Sequence, residues 1–255
     1  MLLTIDVGNT TVNVGIFEGK RLIYTKKLLT RKPASQEYYL AEFKKILKNK
    51  SIGGVIISSV VPDTTRALKA VFKINFGIKP IVLGEDLIVP IKNLYKNPKQ
   101  VGQDRLVNAY AGYKKFGGGL IIVDFGTAVT FDVVSKKGEY LGGIIVPGME
   151  TSLRTLSERA ALLRGRFSDR SLWSHREPSP LIGKDTASSM RSGILNGYGA
   201  LCDGLVAKIK KESGKDYKVI LTGGHAKIIS KYCEFSMLQP NLTLDGLALI
   251  YGRWI

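Results

Sequence analysis

Asp6-Val7-Gly8-Asn9-Thr10-Thr11 puts a carboxylate, a glycine, an amide and two hydroxyls into six consecutive residues. Glycine lets a backbone approach an anion without a Cβ in the way. Neighbouring N–H groups and the Thr10 and Thr11 hydroxyls then have anionic oxygens to meet. An acid at the end of a strand suits Mg²⁺, held through water, because that ion prefers hard oxygen ligands and gives up its water reluctantly. Asp124-Phe125-Gly126-Thr127-Ala128 offers the same parts a second time. Thr222-Gly223-Gly224 adds a glycine turn before a helix, where N–H groups also favour anions. The chemistry these residues suit is the holding of a polyphosphate with its counter-ions. Neither G-x-x-x-x-G-K-[ST] nor a G-x-G-x-x-G after a strand occurs, so P-loop and Rossmann sites lack support.

The elements that must position these residues come in two similar sets. Leu2–Asp6 is an apolar run ending in the acid, Thr11–Phe17 alternates as a strand, and Arg21–Leu28 is a third strand after the turn Glu18-Gly19-Lys20. Gln36–Lys48 has helical apolar spacing, Val55–Ser59 is a buried strand, Pro62–Phe76 is a helix and Pro80–Leu83 a short strand. The second half repeats the plan with Leu120–Asp124, Ala128–Val134 and Tyr140–Val146, then helices, then Val219–Leu221. Asp6 falls on Asp124 and Gly8 on Gly126 when the two are superposed. One Asp-x-Gly is weak evidence, since turns favour both residues. Two in matched strand frames point to duplication of a hairpin-led α/β domain. The expected domains are 1–117 and 118–255, with the seam near Gly117-Gly118-Gly119, the last helix free to pack back on the first half, and the active site in the cleft between them.

A long helix is predicted over Thr186–Glu212, with large residues at Met190, Ile194, Tyr198, Leu201, Leu205 and Ile209. Beside them run Ser189, Gly193, Gly197, Ala200 and Gly204. Each helical glycine costs about 1 kcal/mol against alanine, so something packs closely there, either the sheet or a second subunit.

Of 255 residues, 44% are apolar and 23% charged, an ordinary globular balance. No apolar run reaches the roughly 20 residues of a membrane span, and the first residues lack the pattern of a signal peptide. A cytoplasmic protein with no membrane partner is expected. Lys and Arg number 38 against 21 acids, a formal charge of +17. The basic residues are scattered, without a nucleic-acid motif, so they read as a solubilising surface and no nucleic-acid partner is expected. Cys202 and Cys233 form no CxxC, and the only histidines are His175 and His225. A zinc site of the usual Cys/His type is therefore not expected, and both thiols read as buried and free.

Taken together, Asp-x-Gly-Asn-Thr, the second Asp-x-Gly-Thr-Ala and the late Thr-Gly-Gly resemble the acetate kinase, sugar kinase and actin superfamily. Ser58-Ser59-Val60-Val61-Pro62, Tyr95 with Asn97-Pro98, Gly102-Gln103-Asp104-Arg105, Gly142–Gly148 and Ile182-Gly183-Lys184-Asp185-Thr186 narrow the resemblance to type III pantothenate kinases. The resemblance implies two ribonuclease H-like domains of the actin-like ATPase type, with mixed five-stranded sheets flanked by helices. It implies phosphorylation of pantothenate by ATP, the first step toward coenzyme A, with Mg²⁺, K⁺ or NH₄⁺, and a homodimer. By motif, Asp104 would be the general base and Asp124 would hold the monovalent cation. Asp6, Val7, Gly8, Asn9, Thr10, Thr11, Val12, Asn13, Thr127 and Gly223 would hold ATP, with Asp6 also holding Mg²⁺ through water. Tyr95, Gly102, Gln103, Asp104, Arg105 and Thr186 would hold pantothenate.

Phosphoryl transfer needs positioning and charge neutralisation, and a carboxylate can take the proton of the attacking alcohol. Arg105 can fork onto a carboxylate or amide oxygens. The segment Arg164–Ser179 is basic and polar where the family carries an apolar Leu-Pro stretch. It reads as a surface loop, the alternative being a basic lid over ATP. Three other functions compete: a kinase for another small alcohol or sugar, a non-enzymatic transcription accessory factor of the same family, and an actin-like filament or chaperone ATPase, whose extra subdomains 255 residues leave no space for.

Overall fold

The computed structural model of the chain describes residues 1–159 and 180–254. The basic segment Arg164–Ser179, with Trp173 and His175, lies outside the described residues. Two mixed five-stranded sheets are flanked by helices. The chain divides into two compact units, one of Met1–Lys115 with Leu242–Ile255 and one of Phe116–Asn241.

In the first unit the order is β1 (Leu2–Val7), β2 (Thr11–Glu18), β3 (Arg21–Leu29), α1 (Gln36–Ile46), β4 (Gly54–Ser59), α2 (Pro62–Phe76), β5 (Ile81–Val82), β6 (Lys92–Asn93) and α3 (Gln103–Phe116). Its sheet runs β3-β2-β1-β4-β5. β1 is antiparallel to β2 and parallel to β4, and in that register Asp6 lies opposite both Asn13 and Ser58. Local signals start α1 and α2. Ser35 accepts from the Tyr38 N–H at the head of α1, and Pro62 opens α2, where a missing N–H costs nothing. Phe43 of α1 meets Phe72 of α2 edge-to-face at 4.8 Å, over Leu3, Ile5, Val12 and Val14 of the sheet. Burying one such side chain fully is worth about 1.5–3 kcal/mol.

The second unit contains β7 (Leu120–Phe125), β8 (Ala128–Val134), β9 (Glu139–Pro147), α4 (Met149–Arg159), α5 (Thr186–Ser213), β10 (Lys218–Thr222) and the single turn α6 (Ala226–Ile229). Its own strands run β10-β7-β8-β9. Asp124 of β7 lies opposite Thr130 of β8 and Thr222 of parallel β10. Each unit thus has a central strand whose penultimate residue is its acid, paired antiparallel on one side and parallel on the other.

α7 (Leu242–Trp254) closes the first unit by packing against β1, β2 and β4. The expected division counted residues 242–255 with the second half; the structure lays them on the first sheet. Gly54 permits this, because a Cβ there would overlap the Tyr251 ring. Thr243 donates to Asn108 of α3 at 2.8 Å, and Lys115 pairs with Asp245 at 2.6 Å.

Cys202 is buried in the second core, but Cys233 is half-exposed rather than buried. The two thiols lie close together, and their interaction raises the pKa of Cys202 and lowers that of Cys233.

Candidate active site

The first unit brings two of the singled-out acids together. Asp6 is the penultimate residue of β1, and Asp104 lies in the first turn of α3. Burial pushes the Asp6 carboxyl up to about 7, and the nearby Asp104 charge adds to the rise. Asn13 Nδ2, donating to Asp6 Oδ2 at 3.3 Å, and the Ser58 hydroxyl both oppose it. Ser58 is close enough to favour the ionised form, yet its fully buried Oγ has no partner at hydrogen-bond geometry. Burial also raises Asp104, against the Arg105 N–H that donates to its Oδ1 at 2.9 Å and the Arg105 charge. Two carboxylates in one partly desolvated hollow favour a shared proton or a bound cation.

The β1–β2 turn is more self-contained than its composition suggests. The Gly8 N–H donates to Thr11 O at 2.9 Å, and the Gly8 carbonyl accepts from Thr30 Oγ1 at 2.7 Å. That N–H is spent inside the turn and is not offered to an anion, contrary to the reading of successive N–H groups aimed at phosphate. Val7 and Val12 fill the core with their side chains, leaving only main chain to face a ligand. Asn9 and Thr10 stand exposed at the tip, with Thr11 and Asn13 partly exposed beside them.

The remaining residues of the Gly102-Gln103-Asp104-Arg105 motif straddle the start of α3. Gly102 lies beneath Asp104 Oδ1, and Arg105 is buried within the helix. Tyr95 sits earlier in the same unit, its N–H donating to Asn93 Oδ1 at 3.0 Å.

The second unit carries the second copy of the turn. Thr127 stands exposed at the β7–β8 tip, and its carbonyl accepts from the Gly148 N–H at 3.1 Å and Thr151 Oγ1 at 3.0 Å. Gly223 presses against Asp124 from the β10 end with φ +91, and a Cβ there would strike the Asp124 carboxylate. His225 anchors this turn, its N–H donating to Phe125 O at 3.2 Å and its Nε2 lying 3.1 Å from Glu150 Oε1. The link to Glu150 joins residues 75 positions apart, so no local pattern in the sequence announces it. We expect Gly223→Ala to lower the urea-measured unfolding free energy by about 1–3 kcal/mol through strain at positive φ.

Thr186 opens α5, capped by Asp185, whose carboxylate accepts from the Ser188 N–H at 2.9 Å. It lines an open groove of about 780 Å³ with Leu156, Met190, Gly193 and Ile194. Ser58 belongs to a motif already noted in the sequence but was assigned no role there; the structure sets it beside Asp6. Its signal was the strand frame, since Val55–Ser59 parallel to β1 must set one of its residues beside Asp6.

Solved structures with this architecture include a glucokinase of the ROK family from Streptomyces griseus, at TM-score 0.55 and 13% identity over 98% of this chain and 99% of that one. A protein named as a Baf family transcriptional activator from Campylobacter jejuni aligns at TM-score 0.59 and 18% identity, over 98% of both chains. The fold is that of the actin-like ATPases, to which the ROK kinases belong. Within that class the family is narrower. The type III pantothenate kinase model matches residues 2–208, and the type III pantothenate kinase of Syntrophus aciditrophicus (strain SB) is 42% identical over 99% of both chains. The chain belongs to the type III pantothenate kinase family.

Proposed function

We propose that the protein transfers the γ-phosphoryl group of ATP to the primary alcohol of pantothenate, giving 4′-phosphopantothenate. The observation that carries this reading is the Asp6–Asp104 pair, found in a chain of this family. Asp104 would take the alcohol proton as the oxygen attacks phosphorus. Burial raises its pKa and so makes it a better proton acceptor than a surface carboxylate. Tyr95, Gly102, Gln103, Arg105 and Thr186 would position pantothenate. Asp6, Asn9, Thr10, Thr11, Asn13, Thr127 and Gly223 would hold ATP, with Val7, Gly8 and Val12 shaping the turn. The reaction would take place in the cytoplasm.

The donor set fits hard cations. Asp6, Asn13 Oδ1 and the unpartnered Ser58 Oγ are oxygen ligands around a carboxylate that its surroundings force toward neutrality. Mg²⁺ would be held there through water, and K⁺ or NH₄⁺ by Asp124. Such ions supply neutralisation of the polyphosphate charge when bound.

A homodimer is supported by α5, whose Gly193, Gly197 and Gly204 face open space, next to exposed Leu181 and Ile182. A coupled ADP-release assay tests the function. Turnover with pantothenate, stimulated by K⁺, is the expected result. Turnover with a polyol instead, or a salt-sensitive DNA shift without any kinase activity, would overturn it.

A further inference from the structure

One cluster of metal-ligating atoms lies outside every residue assigned above. Cys202 Sγ, an Asp203 carboxylate oxygen and Cys233 Sγ all fall within 4.8 Å of one another. Cys202 and Asp203 are neighbours on α5, while Cys233 arrives on the segment after α6. That segment is fastened to the helix on both sides of the thiol. Gly199 lets the Tyr232 carbonyl lie directly against α5, where a Cβ would collide with it. On the other side the Glu234 N–H donates to Asp203 Oδ1 at 3.0 Å. The latter bond orients the carboxylate, as an outer-shell donor does at a metal centre.

We propose that Cys202, Asp203 and Cys233 form a binding site for one thiophilic divalent cation, with Zn²⁺ the natural occupant and water the fourth ligand. Two sulfurs and one oxygen are a tetrahedral donor set of the kind zinc takes. Bonds of about 2.3 Å to sulfur and about 2.1 Å to oxygen place tetrahedral ligands roughly 3.5–3.8 Å apart. Binding would draw the three atoms together from within 4.8 Å. The expectation against zinc rested on the absence of CxxC and of histidine pairs. Here the fold joins ligands that the sequence keeps apart. Binding would pin the segment that carries Met237 and Gln239, which pair with Leu221 on β10 just before Gly223.

The test uses the full chain, reduced and metal-free, titrated with Zn²⁺ against a chromophoric chelator. One ion per chain is expected, together with a rise in melting temperature. Cd²⁺ should give the ultraviolet charge-transfer band of thiolate ligation. Cys202 is buried, so the half-exposed Cys233 carries the test. Cys233→Ser should weaken binding at least about 100-fold and Asp203→Asn about 10-fold, with metal-free melting temperatures near that of the parent. Equal zinc affinity in Cys233→Ser would overturn the proposal. So would the absence of a stoichiometric site, or a Cys202–Cys233 disulfide in protein kept under reducing conditions.

Discussion

Asp104→Asn is expected to keep the fold and ATP affinity while turnover with pantothenate falls by about 10²–10⁴. Asparagine preserves the shape of the side chain, and its Oδ1 still accepts the Arg105 N–H, so α3 keeps its start. What disappears is the only atom in that position able to take a proton. The split between the kinetic constants is the diagnostic. A positioning role would raise KM for pantothenate, whereas a base acts on kcat with ATP binding unchanged. Single-turnover kinetics and a nucleotide-binding titration on the same variant check this. Unchanged turnover would remove Asp104 from the chemistry.

Asp6→Asn should do the opposite to stability of what it does to activity. In the unfolded chain Asp6 loses its proton near 3.8; in the folded protein it holds the proton up to about 7. Between those values the native state binds the more protons, so its stability falls as pH rises from about 4 to about 7 and then levels off. At about 1.4 kcal/mol per pH unit the ceiling is about 4 kcal/mol, and partial solvent contact keeps the real difference below it. Asparagine does not titrate. The variant should therefore unfold at higher urea than the parent at pH 8, with the advantage shrinking toward pH 4, and should have lost kinase activity. A parent whose stability is flat over this range would contradict the burial of Asp6.

The duplicated turn was legible because its information is local. An apolar strand, an acid, a glycine and a second strand recur in one frame, and both sheets follow that frame. The long helix was legible for the same reason, from steps of three and four; it runs Thr186–Ser213 against the expected Thr186–Glu212. What escaped was set by pairing between distant segments. Leu242–Trp254 left open which sheet its apolar face covers, a return to the first half being one of the options; the space above Gly54 admits that return. Ser58 gains its place beside Asp6 only through the register of β4 on β1. The spent Gly8 N–H depends on how the turn closes, and the meeting of Cys202 with Cys233 on how a loop crosses a helix.

The return of α7 to the first sheet makes Phe116–Asn241 an uninterrupted insert within a unit whose two pieces lie at opposite ends of the chain. During synthesis, a sheet bearing Asp6 would emerge early yet lack its covering helix until residues 242–254 cleared the ribosome. The inserted unit, complete by residue 241, could reach its native state first. The earliest-made half would then be the last to mature.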